Sequence, residues 1–163
     1  MEHIYLILLF ISEMDSKFVV FQKISTKGAS DVAFSTINGG NYLTVANYNN
    51  GSTCSIKSVI YKWSNGKFNK FQEIPTKGAK GCSAFVINND TFMAFANYYN
   101  SNQKRAVQST VFKWSGGHFV KLQSLQTYGA HGVNSVDING HTLLALANYR
   151  NGSKYNIDSL IYK

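Results

Sequence analysis

The chain reads as an all-β protein of the β-propeller type, and three observations carry that reading. From Phe18 onward the sequence repeats three times at a spacing of 50 to 51 residues. Each unit holds four short strand-like runs separated by Gly- and Asn-rich turns, and no stretch shows helical periodicity over eleven or more residues. Four antiparallel strands at a period near 50 describe a propeller blade. A β-sandwich of about twelve strands is the alternative, but it would not need repeats in register.

The elements follow in order. Phe18 to Ile24 is the first run and ends at a Thr-Lys-Gly turn. Val32 to Ile37 is the second, and Asn38-Gly39-Gly40 after it is a hairpin signal. Tyr42 to Ala46 is almost wholly apolar, like Phe92 to Ala96 and Leu143 to Ala147, which suits a strand buried on both faces. A polar loop precedes the fourth run, which ends near Tyr61-Lys62-Trp63, and Asn65-Gly66 or Gly116-Gly117 then turns the chain into the next unit. The predicted units are 17–66, 67–117 and 118–163. Thr26-Lys27-Gly28-Ala29 recurs at Gly78 and Gly129, Ala46-Asn47-Tyr48 at Asn97 and Asn148, and SVIYKW of the first unit at Trp114 and Lys163.

With 163 residues, 44% hydrophobic and 14% aromatic, the chain can bury a core, and disorder is excluded. Only 15% is charged, yet 16 Lys and Arg against 8 Asp and Glu leave a net charge of +8, which favours acidic partners. Collagen, a coiled coil, a disulfide-dense mini-protein and a multi-span membrane protein are excluded as well. Cys54 and Cys82 form no CxxC, and two buried thiols or one disulfide both fit their spacing.

Residues 1–16 differ from the rest. Ile4 to Ile11 is an unbroken apolar run of eight, too short to span a bilayer and within the range of a signal-peptide core. Its flank carries Glu2 and His3 rather than Lys or Arg. A secretory leader, a start placed inside a longer coding sequence and an extra packed strand therefore stay open. Three blades raise a closure problem, since closed propellers have about four to eight. Either the chain is part of a longer ring, or a homo-oligomer completes it, two copies giving six blades.

The combination F-x-x-F-Q-x-I-x-T-x-G-A, then Y/F-L-x-V-A-N-Y, then S-x-I-Y-K-W resembles the EAR repeat, also called the EPTP or epitempin repeat. That family includes the leucine-rich glioma-inactivated proteins and the thrombospondin-type laminin G domain and EAR repeat proteins. The resemblance covers residues 18 to 163. It implies a seven-bladed, extracellular propeller that binds other cell-surface proteins, usually with a leucine-rich or laminin-like domain upstream. An acidic residue is common in the family after the Gly-Ala turn; here it is Asp31, with Gly81 and Gly132 at the equivalent places.

Catalysis finds little footing: the histidines form no HExxH, no Gly-x-Ser-x-Gly occurs and the carboxylates form no obvious pair. The Gly-Ala turns at Gly28, Gly78 and Gly129 recur once per unit, so tight turns explain them better than a phosphate loop. No cofactor is expected; calcium held by Asp31 and Asp137 is the one candidate, without EF-hand spacing. Asn47, Asn97 and Asn148 end apolar strands and need hydrogen-bond partners, either as side-chain clamps or as a ring of amides in a channel. Trp63 and Trp114 are expected to seal packing between blades.

Lys62, Lys113 and Lys163 occupy equivalent positions, so their charges form a belt, as strand-edge protection or as a surface for an acidic protein or sulfated glycan. Nucleic acid is not expected, because no recognition motif is present. Asn50, Asn89 and Asn151 are N-glycosylation sequons, and an exported glycoprotein follows if they are used. The leading reading is a non-enzymatic, secreted or cell-surface interaction module with Tyr48, Tyr98, Tyr99 and Tyr149 as aromatic anchors. Two readings stand beside it: a lectin for sulfated glycans using the lysine belt, and a non-functional fragment of a seven-bladed EAR protein.

Overall fold

The computed structural model describes residues 17–99 and 105–163. The apolar run at Ile4 to Ile11 lies outside them. The described residues hold eleven strands and no helix: β1 (Ala29–Ile37), β2 (Gly40–Asn47), β3 (Lys57–Ser64), β4 (Lys67–Pro75), β5 (Ala79–Ile87), β6 (Asp90–Asn97), β7 (Ala106–Ser115), β8 (His118–Tyr128), β9 (Ala130–Ile138), β10 (His141–Asn148) and β11 (Leu160–Tyr162). They form three antiparallel sheets, β1-β2-β3-β4, β5-β6-β7-β8 and β9-β10-β11. This is the arrangement of consecutive propeller blades, with β1, β5 and β9 side by side at the inner edge.

The hairpins explain themselves locally. Asn38-Gly39, Asn65-Gly66, Asn88-Asn89, Gly116-Gly117 and Asn139-Gly140 all have positive φ at both positions. That is the two-residue turn whose twist matches the strands it joins, and Asn and Gly are the residues that tolerate it.

One phase differs from the sequence reading. Phe18 to Ile24, expected as a first strand, pairs with no sheet among the described residues, and its equivalents Lys67–Pro75 and His118–Tyr128 are the outermost strands of the preceding sheets. Each of the first two sheets is therefore built from three strands of one sequence unit and one strand of the next. The third sheet has only three strands among the described residues.

The core lies between the sheets. Ile37, Tyr42, Ile60, Ile74, Met93 and Phe95 fill the space between the first two, and Phe92, Val111, Leu125, Leu144 and Leu146 fill the space between the second and third. Each such side chain stabilises the fold by about 1.5–3 kcal/mol. The middle strands β2 and β6 are buried along nearly their whole length, as their unbroken apolar runs predict. β10 instead alternates, Leu144 and Leu146 buried but Ala145 and Ala147 exposed, since among the described residues only one of its faces packs against another sheet.

Successive blades are also tied by polar contacts. Asp31 Oδ2 accepts from the Cys82 amide at 2.9 Å, joining two inner strands. At the outer edge, the Gln72 side chain donates to the Phe119 carbonyl and accepts from the Phe119 amide, both at 2.8 Å. Trp114 stacks on Phe71 at 5.9 Å and meets Tyr42 edge-on at 5.3 Å, so it bridges the first two blades. Gly81 permits the closest approach. A Cβ there would lie 3.0 Å from the His131 carbonyl oxygen and 3.1 Å from the Gly132 Cα.

Candidate functional site

The loops that follow the middle strands lie at one end of the blades, and asparagine clamps hold them. Asn97 Oδ1 accepts from the Lys77 amide at 3.0 Å, and its Nδ2 donates to the Gln108 carbonyl at 2.8 Å. Asn47 bridges Lys27 and Lys57 in the same way, and Asn148 bridges Tyr128 and Asp158. Each clamp fixes the direction of the tyrosine that follows it. Gly28, Gly78 and Gly129, all with φ between 55° and 57°, turn the chain beneath these tyrosines. A Cβ at Gly78 would press on the Tyr99 carbonyl at 3.2 Å.

The four tyrosines expected as anchors converge. Tyr48 and Tyr99 share a hydroxyl–hydroxyl hydrogen bond of 2.9 Å, and their rings meet edge-on at 5.6 Å. Tyr98 lies 4.9 Å from Tyr99, 5.9 Å from Tyr48 and 6.1 Å from Tyr149. Burial is unequal: Tyr98 is 7% exposed and Tyr149 40%. Burial, and then the Tyr99 hydroxyl beside it, push the Tyr48 phenol above its ordinary pKa, so it stays a neutral hydrogen-bonding group.

Basic side chains that the sequence reading did not single out complete the cluster. Lys80 Nζ stands 4.2 Å above the Tyr48 ring and 5.2 Å from Tyr98, and the Arg105 guanidinium lies 4.7 Å from Tyr98. Arg150 covers Tyr155 at 5.2 Å and donates to its hydroxyl. His131 stacks on Tyr149 at 4.6 Å and touches Tyr98 at 4.7 Å. Burial first, then the charges of Lys80 and Arg105, hold the His131 pKa below its ordinary value. Such cation–aromatic pairs contribute about 0.5–1 kcal/mol each at exposed sites. Among the described residues no carboxylate pairs with Lys80 or Arg105. Ser30, Lys80 and His131 directly follow the three Gly-Ala turns, and that repeated position was the signal available in the sequence.

The other site expectations fall elsewhere. Lys62 is paired in register with Tyr42, and Lys113 with Phe92, at the opposite end of the middle strands from Tyr48 and Tyr98. Six residues of strand separate the two ends, roughly 20 Å. Lys113 is ion-paired to Asp90 at 2.7 Å, and Lys62 stands 5.7 Å from the Tyr42 ring. Lys163 follows β11 in the third blade, beside a shallow cleft of about 230 Å³ lined by Phe85, Leu122 and Tyr162. Trp63 stacks on Phe21 and meets Phe68 edge-on. Asp31 and Asp137 stand at opposite ends of equivalent inner strands, the second accepting from the Gly140 amide, so they do not share a cation site. Among the described residues no group of His, Cys, Asp or Glu is arranged to hold a metal. Cys54 and Cys82 are both free and buried. Asn50, Asn89 and Asn151 are exposed in turns.

Comparison with known proteins gives the same architecture a family. The EPTP domain matches residues 17–64, 67–115 and 118–163. The chain belongs to the EPTP domain family. A human thrombospondin-type laminin G domain and EAR repeat-containing protein is 40% identical over 57 residues, 34% of this chain and 8% of its own length. The mouse protein of that name is 35% identical over 149 residues, 91% of this chain and 15% of its own. This EPTP chain thus spans a small part of the curated relatives it matches. Among solved structures, a mannose phosphorylase from Leishmania mexicana in complex with phosphate ion superposes with a TM-score of 0.53 at 11% identity, over 85% of this chain and 44% of that one. That likeness speaks to fold alone. The EPTP units start one strand before the sheets do, at residue 17 rather than 29.

Proposed function

We infer that this EPTP chain is a non-enzymatic protein-interaction module, working outside the cell, that docks an acidic surface of a partner protein on its tyrosine–cation face. The observation that carries the reading is Lys80 and Arg105 held on the Tyr48 and Tyr98 rings beside the exposed Tyr149. Tyrosine and arginine are the residues that most often dominate binding energy at interfaces, and here stacking orders the cations in advance. A net charge of +8 adds long-range attraction for an acidic partner. Family membership supports an interaction role, and the exposed sequons fit an exported protein.

The test is a binding screen of the full chain against a displayed panel of cell-surface ectodomains, repeated with variants. Tyr149→Ala and Lys80→Ala should each weaken a specific partner at least tenfold, and Lys113→Ala, at the far end of the blades, should not. Binding that follows Lys62, Lys113 and Lys163 instead, and that heparin displaces steeply at low salt, would replace this reading with the sulfated-glycan one.

A further inference from the structure

The first two blades do not meet along their full depth. At one end of β7, Trp114 and Phe119 fill the space against Tyr42 and Phe71. Toward the other end the side chains become small: Thr110 and Ser124, paired in register across β7 and β8, face Ile56 and Pro75 of the first blade. A cleft of about 580 Å³ opens there. Sites that hold ligands measure about 300–1,000 Å³. Both sheets that bound the cleft have all four strands, and it shares no side chain with the tyrosine–cation face.

Comparing the two blades shows what the cleft lacks. In the first blade the Glu73 carboxylate takes both Lys57, at 2.7 Å, and Lys70. One unit later Gln108 stands for Lys57, Lys121 for Lys70 and Ser124 for Glu73. The lysine is kept and its carboxylate is gone. Gln108, Lys121 and Ser124 all line the cleft, Lys77 lines it as well, and no Asp or Glu does. Among the described residues neither Lys77 nor Lys121 has an ion pair. An ammonium group, a carboxamide and a hydroxyl thus gather where the first blade holds a carboxylate, and each can donate a hydrogen bond to one.

We propose that the cleft between the first two blades binds an extended acidic segment of a partner polypeptide. One carboxylate of the segment takes the place beside Lys121 that Glu73 takes beside Lys70, and a neighbouring apolar side chain rests on Ile56, Pro75 and Phe112. The lining favours a peptide over an acidic sugar. Most of it is apolar, so a sugar ring would leave hydroxyls unpaired there. An apolar side chain next to a carboxylate leaves none. This cleft is additional to the tyrosine–cation face, and either surface can bind without the other.

An array of hexapeptides in which Asp or Glu alternates with Leu, Ile, Val or Phe tests this. The full chain is the probe, and retained peptides are measured in solution by fluorescence anisotropy. Saturable binding is expected, and its loss when each acid is replaced by its amide. Lys121→Ala should weaken it about three- to tenfold, because the ion pair is exposed and screened. Ser124→Glu gives the second blade its own carboxylate, as the first has, and should weaken binding by at least about tenfold with circular dichroism unchanged. Lys67→Ala removes the same charge as Lys121→Ala from the exposed start of β4 and should change nothing. Retention of no acidic peptide, equal binding of the amide forms, equal losses in Lys67→Ala and Lys121→Ala, or indifference to Ser124→Glu would each overturn the proposal. So would digalacturonate binding more tightly than any peptide. Peptides that respond to Lys80→Ala and not to Ser124→Glu would belong to the tyrosine–cation face, which separates the failure of this proposal from the failure of that reading.

Discussion

Replacing Asn97 with alanine tests how much the blades depend on their asparagine clamps. Asn97 is 2% exposed. Its side chain is the hydrogen-bond partner of the Lys77 amide and the Gln108 carbonyl, on two segments that pair with each other nowhere else along these groups. Alanine removes both partners at once. An unpaired backbone group costs about 1–3 kcal/mol when buried, and these two are partly buried, so the low half of that range applies to each. The expected loss is about 2–4 kcal/mol. With a urea dependence near ~2 kcal/mol per molar for a domain of this size, the unfolding midpoint falls by roughly 1–2 M. Asn41→Ala is the control, because Asn41 is exposed and only accepts from the Thr36 hydroxyl; a change within about 0.5 kcal/mol is expected there. Asn97→Asp should be no better than alanine: it keeps the acceptor for Lys77, but it buries a charge and sets a carboxylate oxygen against the Gln108 carbonyl in place of the donor. Urea melts at one protein concentration, followed by tryptophan fluorescence, give all three values. A loss at Asn97→Ala no larger than at Asn41→Ala would refute the reasoning.

Gly81→Ala should lower stability by about 1–3 kcal/mol, since the new Cβ meets the backbone of β9 rather than a movable side chain; an unchanged thermal midpoint would contradict the close approach. Hydrogen bonds from Lys57 first, and from Lys70, hold the Glu73 carboxyl down to about 2 from 4.5. Its folded pKa is lowered, so its contribution is fully present above about 4.5 and fades as the pH falls toward 2, and the stability gap between wild type and Glu73→Gln should close over that window. His131, whose folded pKa is also lowered, should titrate below 6.5 by NMR; its protonation opposes folding as the pH drops beneath 6.5, and Lys80→Met should move the midpoint upward. Burial, with Asp31 nearby, pushes the Cys82 thiol up to about 12, and burial also raises Cys54. Neither should react with a thiol reagent at pH 8 until the chain unfolds, and fast labelling of the native protein would contradict their burial.

The repeat made the strand content and the turns legible in the sequence. Asn38-Gly39 and its equivalents announce their own backbone angles, and the apolar runs from Tyr42 and Phe92 identify the middle strands. The phase was not legible. A period of 50 residues fixes the length of the unit but not where a sheet begins, because any cyclic shift of the unit repeats equally well. Phe18 to Ile24 therefore reads as the opening strand of one blade, although its equivalents close the blade before. In the candidate site the tyrosines were visible because they recur in Ala-Asn-Tyr. Lys80, Arg105 and His131 were not, because Ser, Lys and His fill one repeated position with different chemistry and Arg105 belongs to a loop that differs between units. The lysines at 62, 113 and 163 were grouped by period, and period says nothing about which end of a strand carries them.

The one-strand offset between sequence unit and sheet also bears on how such a protein changes length. If residues 67–117 were excised, Gly66 would run into His118, and β8 would arrive where β4 had been, with Gln123 and Thr127 replacing Gln72 and Thr76. Every remaining sheet would keep its full set of neighbours, and an added unit would fit as smoothly. Unequal recombination can thus vary the number of blades without leaving a scar inside any of them. The number of blades, and not the make-up of a single blade, is then what such an exchange alters.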